Sequence, residues 1–277
     1  MGFERYPALQ LMVDGIWIRR GYHLPLPKGL PVEYQFIEEK DFVIVYPSEF
    51  DIQKFLTELR RGRQWLEERL GSQPRKFHGI LYLEEDAPYD SGAGFSYPAG
   101  TFGLRVENRE FLNIIRAGIH EVAHLLLFYH PLEEQLDAFC SRWTIADWHT
   151  PEWERYHLRR ELEEAIVIAL VAQYFGEPLT FGTSQRLNLR RELLSRPHAE
   201  FLSSILILAE KATHKPLVKI VSELLKKFQG TESPGETMVQ FFATILPRRF
   251  RKYLHEEHLG HGRWRYTVQP GPVQPEG

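Results

Sequence analysis

The spacing of apolar residues in the first half of the chain predicts strands alternating with helices. The segment "DFVIVYP", residues 41–47, is short, β-branched and aromatic, and it ends at a proline, as a buried strand does. Residues 50–70 carry apolar side chains at roughly helical spacing before Gly71, a residue suited to ending a helix. Two further strands are predicted in "KFHGILYLEED" and "TFGLRVEN", on either side of the glycine-rich "SGAGFSYPAG", which we interpret as a flexible loop. The first forty residues are predicted to be irregular.

From Pro131 onward the same analysis predicts helices almost throughout. One helix starts at Pro131, and a second starts near Pro151 and ends at Gly176. Residues 186–228 are typical of two amphipathic helices broken at Pro197 and Pro216. The segment "GETMVQFFATILPRRFRKYL" is typical of a last pair of helices. The predicted fold class is α+β, with a small N-terminal sheet followed by an all-helical C-terminal part. The predicted parts are an α/β part at 1–130, a helical part at 131–260 and a flexible tail at 261–277.

Composition and charge narrow the classes of partner. Of the 277 residues, 43% are hydrophobic and 26% charged, and the formal net charge is −3, so no basic field attracts nucleic acid or anionic lipid. The single cysteine, Cys140, cannot form an intramolecular disulfide. No signal-peptide pattern opens the chain, and no uninterrupted apolar run reaches membrane-spanning length. We therefore expect a cytoplasmic protein with neither a nucleic acid nor a membrane as partner; the oligomeric state is left open.

The candidate chemistry lies in "IIRAGIHEVAHLLLFYH", residues 114–130, where histidines and a glutamate interrupt an apolar helix. Buried polar groups are costly unless something pairs with them. The pentad His120-Glu121-Val-Ala-His124 has the form H-E-x-x-H, and residues four apart share one helix face, so both imidazoles can bind one zinc ion. Glu121 lies about 100° round the helix, where it can address a water on that ion without being a ligand. The pattern predicts His120 and His124 as metal ligands and Glu121 as general base.

A catalytic zinc site needs a third protein ligand, and two candidates follow the pentad closely. His130 stands six residues after His124, as in H-E-x-x-H-x-x-G-x-x-H, but Leu127 occupies the glycine position, where the chain must turn sharply. We interpret His130 instead as a residue at the end of the helix, where a cation suits the helix dipole. Glu133 and Glu134 are interpreted as acids in the first turn of the next helix.

A third candidate group stands in "RRELEEAIVIALVAQYFG", where Glu161, Glu163 and Glu164 precede a run that is apolar on every face. A carboxylate at the start of a buried run needs a cation. Glu161 and Glu164 are three residues apart, so one can bind the metal while the other orients a histidine. The competing interpretation is surface pairing with Arg159 and Arg160, which contributes little stability. The need for a third ligand favours this group, with the choice among the three glutamates open.

With the pentad and this acidic helix, the chain resembles the gluzincin metallopeptidases, particularly the peptidase-MA-like group, over roughly residues 40–176. In that family, strands and a helix precede the H-E-x-x-H helix, and a later helix supplies a glutamate ligand. The positions similar to the family pattern are Trp153, Glu164 with Ala165, and Tyr174-Phe175-Gly176. The resemblance implies a zincin-like fold and one zinc ion per chain, with Glu164 as the third ligand beside His120 and His124.

The resemblance also implies how a substrate binds. Gluzincins hold an extended peptide along the edge strand just before the active-site helix, and "TFGLRVEN" is in that place. The implied substrate-binding residues are therefore Phe102, Gly103 and Leu104, through backbone pairing. The candidate donors to the oxyanion are His149, Tyr156 and His157.

The sequence thus predicts a zinc-dependent metallopeptidase that cleaves a peptide or protein substrate through a zinc-bound water activated by Glu121. The alternative is a non-catalytic, metal-binding, gluzincin-like protein with a regulatory or partner-binding role. A third hypothesis, a purely structural helix pair, predicts no metal at all.

Overall fold

The structure, a computed structural model, describes residues 2–73, 75–88, 94–97, 100–195, 198–246 and 250–271. The chain divides into two compact units, Met1–Tyr129 and His130–Gly277. The elements of the first unit are α1 (Pro7–Arg19), β1 (Tyr34–Glu38), β2 (Phe42–Pro47), α2 (Ile52–Leu70), β3 (Phe77–Tyr82), β4 (Gly94–Tyr97), β5 (Thr101–Arg105) and α3 (Phe111–Phe128). The elements of the second are α4 (Pro131–Phe139), α5 (Pro151–Phe175), β6 (Leu179–Thr183), α6 (Leu189–Ser195), α7 (Ala199–Thr213), α8 (Leu217–Phe228), α9 (Pro234–Ile245), β7 (Leu254–Gly260) and β8 (Arg263–Val268).

The first unit is built on a mixed sheet with helices on both faces. Its five described strands follow the order β1-β2-β3-β5-β4, with β2, β3 and β5 parallel and the outer strands β1 and β4 antiparallel to their neighbours. Because both faces are covered, β2 is buried along all six residues. Val43 and Val45 pack with Leu9 and Val13 of α1 on one face. Helix α3 contacts β4, β5 and α2.

Helices α2 and α3 approach each other closely because glycines stand at their crossing. A Cβ added to Gly62 of α2 would lie 2.5 Å from Cδ1 of Ile119 in α3. A Cβ on Gly118 of α3 would lie 3.1 Å from Cδ1 of Leu59 in α2. All four residues are buried, so the crossing fixes the depth and rotation of the helix that carries the H-E-x-x-H pentad.

The second unit combines helices with a small sheet. Its longest helix, α5, begins where the Thr150 side chain accepts a hydrogen bond from the Trp153 N–H (3.1 Å), and ends at Gly176 in the left-handed conformation (φ 66°). Helix α5 packs along α7, and α7 also contacts β6 and β8. The described strands β6, β8 and β7 form an antiparallel sheet in that order. The Phe181 ring of β6 meets the Phe201 ring of α7 edge-on at 5.1 Å.

Several predicted elements are confirmed in the described residues. Strands β2, β3 and β5 lie within the segments predicted for them, and α2 ends at Gly71, which has the expected left-handed conformation (φ 66°). The long apolar helix around the pentad is α3. The predicted mixture of helices and strands, with a sheet near the N-terminus, is confirmed.

Other predictions are wrong. The first forty residues are not irregular, because they contain α1 and β1. The C-terminal part is not all-helical, and the predicted flexible tail forms β8 at 263–268; its residues 272–277 lie outside the described part. The glycine-rich loop contains strand β4, while its residues 91–93 and 98–99 lie outside the described part.

The predicted helical segments also differ in length and number. The helix predicted in "PLEEQLDAFCSRWTIADW", residues 131–148, begins at Pro131 but already ends at Phe139. Residues 186–228 hold three described helices, α6, α7 and α8; α8 follows Pro216, as predicted, whereas Pro197 lies outside the described residues. The predicted last helical pair is α9 followed by a short 3₁₀ turn at Phe250–Tyr253.

Candidate metal centre

Two histidine side chains project from the same face of α3. His120 and His124 are half-buried, and their Nε2 atoms lie 3.2 Å apart with the ring planes inclined at 67°. Two nitrogens bound to one tetrahedral zinc at about 2.0–2.1 Å would lie roughly 3.3–3.4 Å apart. The spacing therefore suits one shared ion, and it also suits an imidazole–imidazole hydrogen bond. The two rings converge because residues four apart in an α-helix lie on the same face, as the sequence predicts.

Glu164, the third ligand that the resemblance implies, lies on α5 of the second unit and is half-buried, as are both histidines of α3. The three predicted ligands offer two imidazole nitrogens and one carboxylate oxygen, which is a donor set found in catalytic zinc sites. It is unlike the all-oxygen sets that hold calcium or magnesium.

The other glutamates of the acidic helix have partners within the second unit. Glu163 accepts hydrogen bonds from Arg159 (2.6 Å) and Arg142 (3.2 Å). Glu161 accepts a hydrogen bond from the backbone N–H of Ala199 at 2.5 Å, at the start of α7. Glu161 and Glu163 therefore hold contacts with a helix start and with arginines, respectively.

The candidates that directly follow the pentad have structural contacts too. His130 lies at the start of α4, where its Nδ1 accepts a hydrogen bond from the Leu132 N–H (3.0 Å). His130 therefore caps the start of α4, two residues after α3 ends at Phe128. Glu133 is buried and accepts from Arg142 (2.8 Å) and from Arg159. Glu134 lies in the same first turn of α4, as predicted.

Glu121 is buried against strand β4. Glu121 is only 6% exposed. A Cβ added to Gly94 would lie 3.1 Å from Oε1 of Glu121. The same Cβ would lie 2.7 Å from the carbonyl oxygen of Gly103. Only glycine at position 94 leaves this space to the carboxylate. Sequence reasoning missed Gly94, although the signal, a glycine in a glycine-rich segment before the pentad, was present.

The predicted substrate strand is not at the edge of the sheet. Strand β5 pairs with β3 on one side, where Gly79 faces Phe102, and with β4 on the other, where Phe95 faces Gly103. Phe102 and Leu104 are fully buried. The premise that Phe102, Gly103 and Leu104 offer free backbone groups to a substrate is therefore wrong. Among the described strands, the sheet edge on this side belongs to β4.

The predicted oxyanion donors lie at the beginning of α5 and just before it. The His157 ring stacks on Trp153 (5.2 Å, 3°), and its Nδ1 is 3.8 Å from a Glu161 oxygen. His149 is exposed and left-handed (φ 66°), and Tyr156 lies beneath the Arg160 guanidinium. These contacts assign no oxyanion role to any of the three.

A comparison with protein-family models and with curated proteins finds no match to this chain. Among the described residues, α3 is the one helix long and apolar enough to cross a membrane by length and composition. Of that window, 61% is buried, and the buried core helices of soluble proteins meet the same test, so this is weak evidence for a membrane span.

Proposed function

We propose that this protein is a zinc-dependent metallopeptidase, with His120, His124 and Glu164 as metal ligands and Glu121 as general base. The observation that carries the proposal is the convergence of two imidazole nitrogens 3.2 Å apart on one face of α3, with the buried acid Glu121 in the same H-E-x-x-H pentad. A structural helix pair needs neither the convergence nor the buried acid.

A zinc ion held by these residues would supply a Lewis acid that lowers the pKa of a water molecule and polarises a carbonyl. Glu121 then accepts the proton of the attacking water and delivers it to the leaving amine. A carboxylate 6% exposed and packed against Gly94 has little freedom to turn away, so its direction is set before substrate arrives.

For the substrate, we propose an extended peptide that pairs with β4 rather than with β5. Strand β4 is the edge among the described strands and is antiparallel to β5, and a Cβ added at its first residue, Gly94, would lie 3.1 Å from Oε1 of Glu121. Backbone pairing along an edge strand provides affinity without selecting a side chain. It would bring the scissile amide alongside the general base.

The first test is the zinc content per chain after extensive dialysis. We expect about one zinc per chain in the wild type and in His130→Ala, whose histidine caps α4, and a loss of zinc in His120→Ala. His130→Ala is the matched control because it removes an imidazole near the pentad. No zinc in the reloaded wild type would refute the proposal.

The second test separates a peptidase from a metal-binding protein without catalysis. Glu121→Gln keeps the shape of the side chain and removes its basicity, so we expect wild-type zinc content and loss of cleavage in a peptide-library digest. Zinc binding by a wild type that cleaves no peptide would favour the regulatory or partner-binding alternative.

A further inference from the structure

The turn of α5 that carries Glu164 is held by two arginines through the neighbouring glutamate. Arg159, one helical turn earlier, donates from Nη1 to Glu163 Oε2 at 2.6 Å. Arg142, from the segment after α4, donates from Nη2 to Glu163 Oε1 at 3.2 Å. Each oxygen of the Glu163 carboxylate therefore has its own guanidinium, which restricts both rotation and translation of that side chain.

The two arginines are themselves fixed by acids of α4. Glu133 accepts hydrogen bonds from Arg142 Nε (3.0 Å) and Nη2 (2.8 Å) and from Arg159 Nη2. Asp137 accepts a further bond from Arg159 at 3.0 Å. Three acids and two arginines thus connect α4 and α5 in one network.

This network is buried to an extent that stability alone does not explain. Arg159 is 1% exposed and Glu133 5% exposed. Taking such charges out of water is expensive, and apolar residues of similar volume often give equal or greater stability. One oxygen of Glu133, Oε2, is buried and lacks a hydrogen-bond partner among the described residues. Because apolar side chains could fill the same space with equal or greater stability, we look for a role of this ion network other than stability.

We propose that Arg142 and Arg159 are positioning residues for the third metal ligand. Consecutive residues of an α-helix point about 100° apart, so a fixed Glu163 also fixes the direction in which α5 presents Glu164. Neither arginine binds the metal; both act through Glu163. The inference rests on the proposed function, since it needs Glu164 to be a ligand.

The test compares metal affinity with the stability of the metal-free protein. Glu163→Gln keeps the volume of the side chain and removes the charge that both arginines bind. We expect zinc affinity, measured by competition with a chromophoric chelator, to fall about 10- to 100-fold, as for other residues that orient ligands. The visible absorption of the cobalt-substituted protein should change as well, because it reports the geometry of the ligands.

The control is Glu223→Gln, which breaks a different ion pair of the same unit, with Lys215 (2.8 Å). It should change neither zinc affinity nor the cobalt spectrum. If Glu163→Gln prevents folding, Arg142→Gln serves instead, because Arg142 is less buried and its loss leaves the bond between Arg159 and Glu163 intact. Arg142→Lys, which keeps the charge but loses the two-point contact, should recover part of the affinity.

The outcomes distinguish the inference from the proposed function. Wild-type zinc affinity in Glu163→Gln, or in Arg142→Gln where Glu163→Gln does not fold, with a lower melting temperature of the metal-free protein, would show that the network is only structural. The inference would be overturned, and the metal site would stand. A wild type that binds no zinc would overturn both. Reduced affinity in the variant that is measured, with normal affinity in Glu223→Gln, supports the inference.

Discussion

Replacing Gly62 by alanine tests the close crossing of α2 and α3. The new Cβ would lie 2.5 Å from Cδ1 and 2.6 Å from Cγ1 of Ile119, whereas carbon atoms in optimal contact are about 3.5–4.0 Å apart. Ile119 would have to retreat by about 1 Å at a fully buried position. Such overpacking typically costs about 1–3 kcal/mol.

The same substitution has an opposing, favourable effect on the helix. Alanine is favoured over glycine in a helix interior by about 0.8–1.0 kcal/mol. The two effects together predict a net loss of about 0–2 kcal/mol for Gly62→Ala. Gly118→Ala has the same favourable effect on helix propensity. Its added Cβ would lie 3.1 Å from Leu59 Cδ1 and 3.2 Å from Phe55 Cζ, so these side chains need to move by only a few tenths of an ångström. We expect Gly118→Ala to be the more stable variant of the two.

The assay is urea denaturation followed by far-UV circular dichroism, with variants compared by their midpoints at equal slope. A double-mutant cycle with Ile119→Ala isolates the contact, because removing the isoleucine side chain opens the space that a Cβ at position 62 would need. In that background the Gly62→Ala change should become stabilising. If Gly62→Ala stabilises the wild type by the full propensity difference, the helices do not cross as closely as described and the reasoning fails.

Three further predictions concern single residues. Gly94→Ala should lower turnover but retain zinc, because its Cβ would enter the space of the Glu121 carboxylate; unchanged kcat in a digest assay would contradict this role for the glycine. Arg159→Met should destabilise the protein by up to about 3–5 kcal/mol in urea denaturation, because it removes the more buried of the two guanidinium groups that bind Glu133 and Glu163 and leaves only Arg142; a loss below about 1 kcal/mol would be inconsistent with the burial described. Burial lowers the pKa of His78 below its usual value of about 6.5, so the unfolded chain binds the proton more tightly and stability falls as the pH drops below about 6.5. His78→Gln should weaken that loss between about pH 7.5 and 5.5, and equal losses in both proteins would argue against the shifted pKa.

The parts of the fold that the sequence predicted are those with a strong local signal. Strand β2 is apolar at every position because both of its faces are covered. Helix α2 has a clear apolar stripe and a glycine directly after its last residue. The two histidines of α3 needed no tertiary information, because a spacing of four on a helix already places their rings together.

The missed elements obtain their stability from tertiary contacts. Strand β8 alternates in burial, with Tyr266 and Val268 fully buried, but it is short and lies beside a tail rich in proline and glycine. Strand β4 has four described residues, begins at a glycine and is held by its ladder with β5. Its presence moves β5 from the edge to the interior of the sheet, and this is why the predicted substrate strand is wrong. Strand order depends on pairing between distant segments, which a local pattern does not encode.

The third ligand is also a feature that the sequence alone could not assign. Glu163 and Glu164 each have an arginine four residues earlier, Arg159 and Arg160, so the sequence offers both the same helical ion pair. The structure distinguishes the two arginines by burial: Arg159 is 1% exposed and binds Glu163, whereas Arg160 is exposed and lies over the ring of Tyr156. The difference arises because Glu133 and Asp137 of α4 bind Arg159. The commitment of Glu163 to two arginines depends on the packing of α4 against α5 and therefore had to come from the structure, whereas Glu164 as the third ligand stays a proposal.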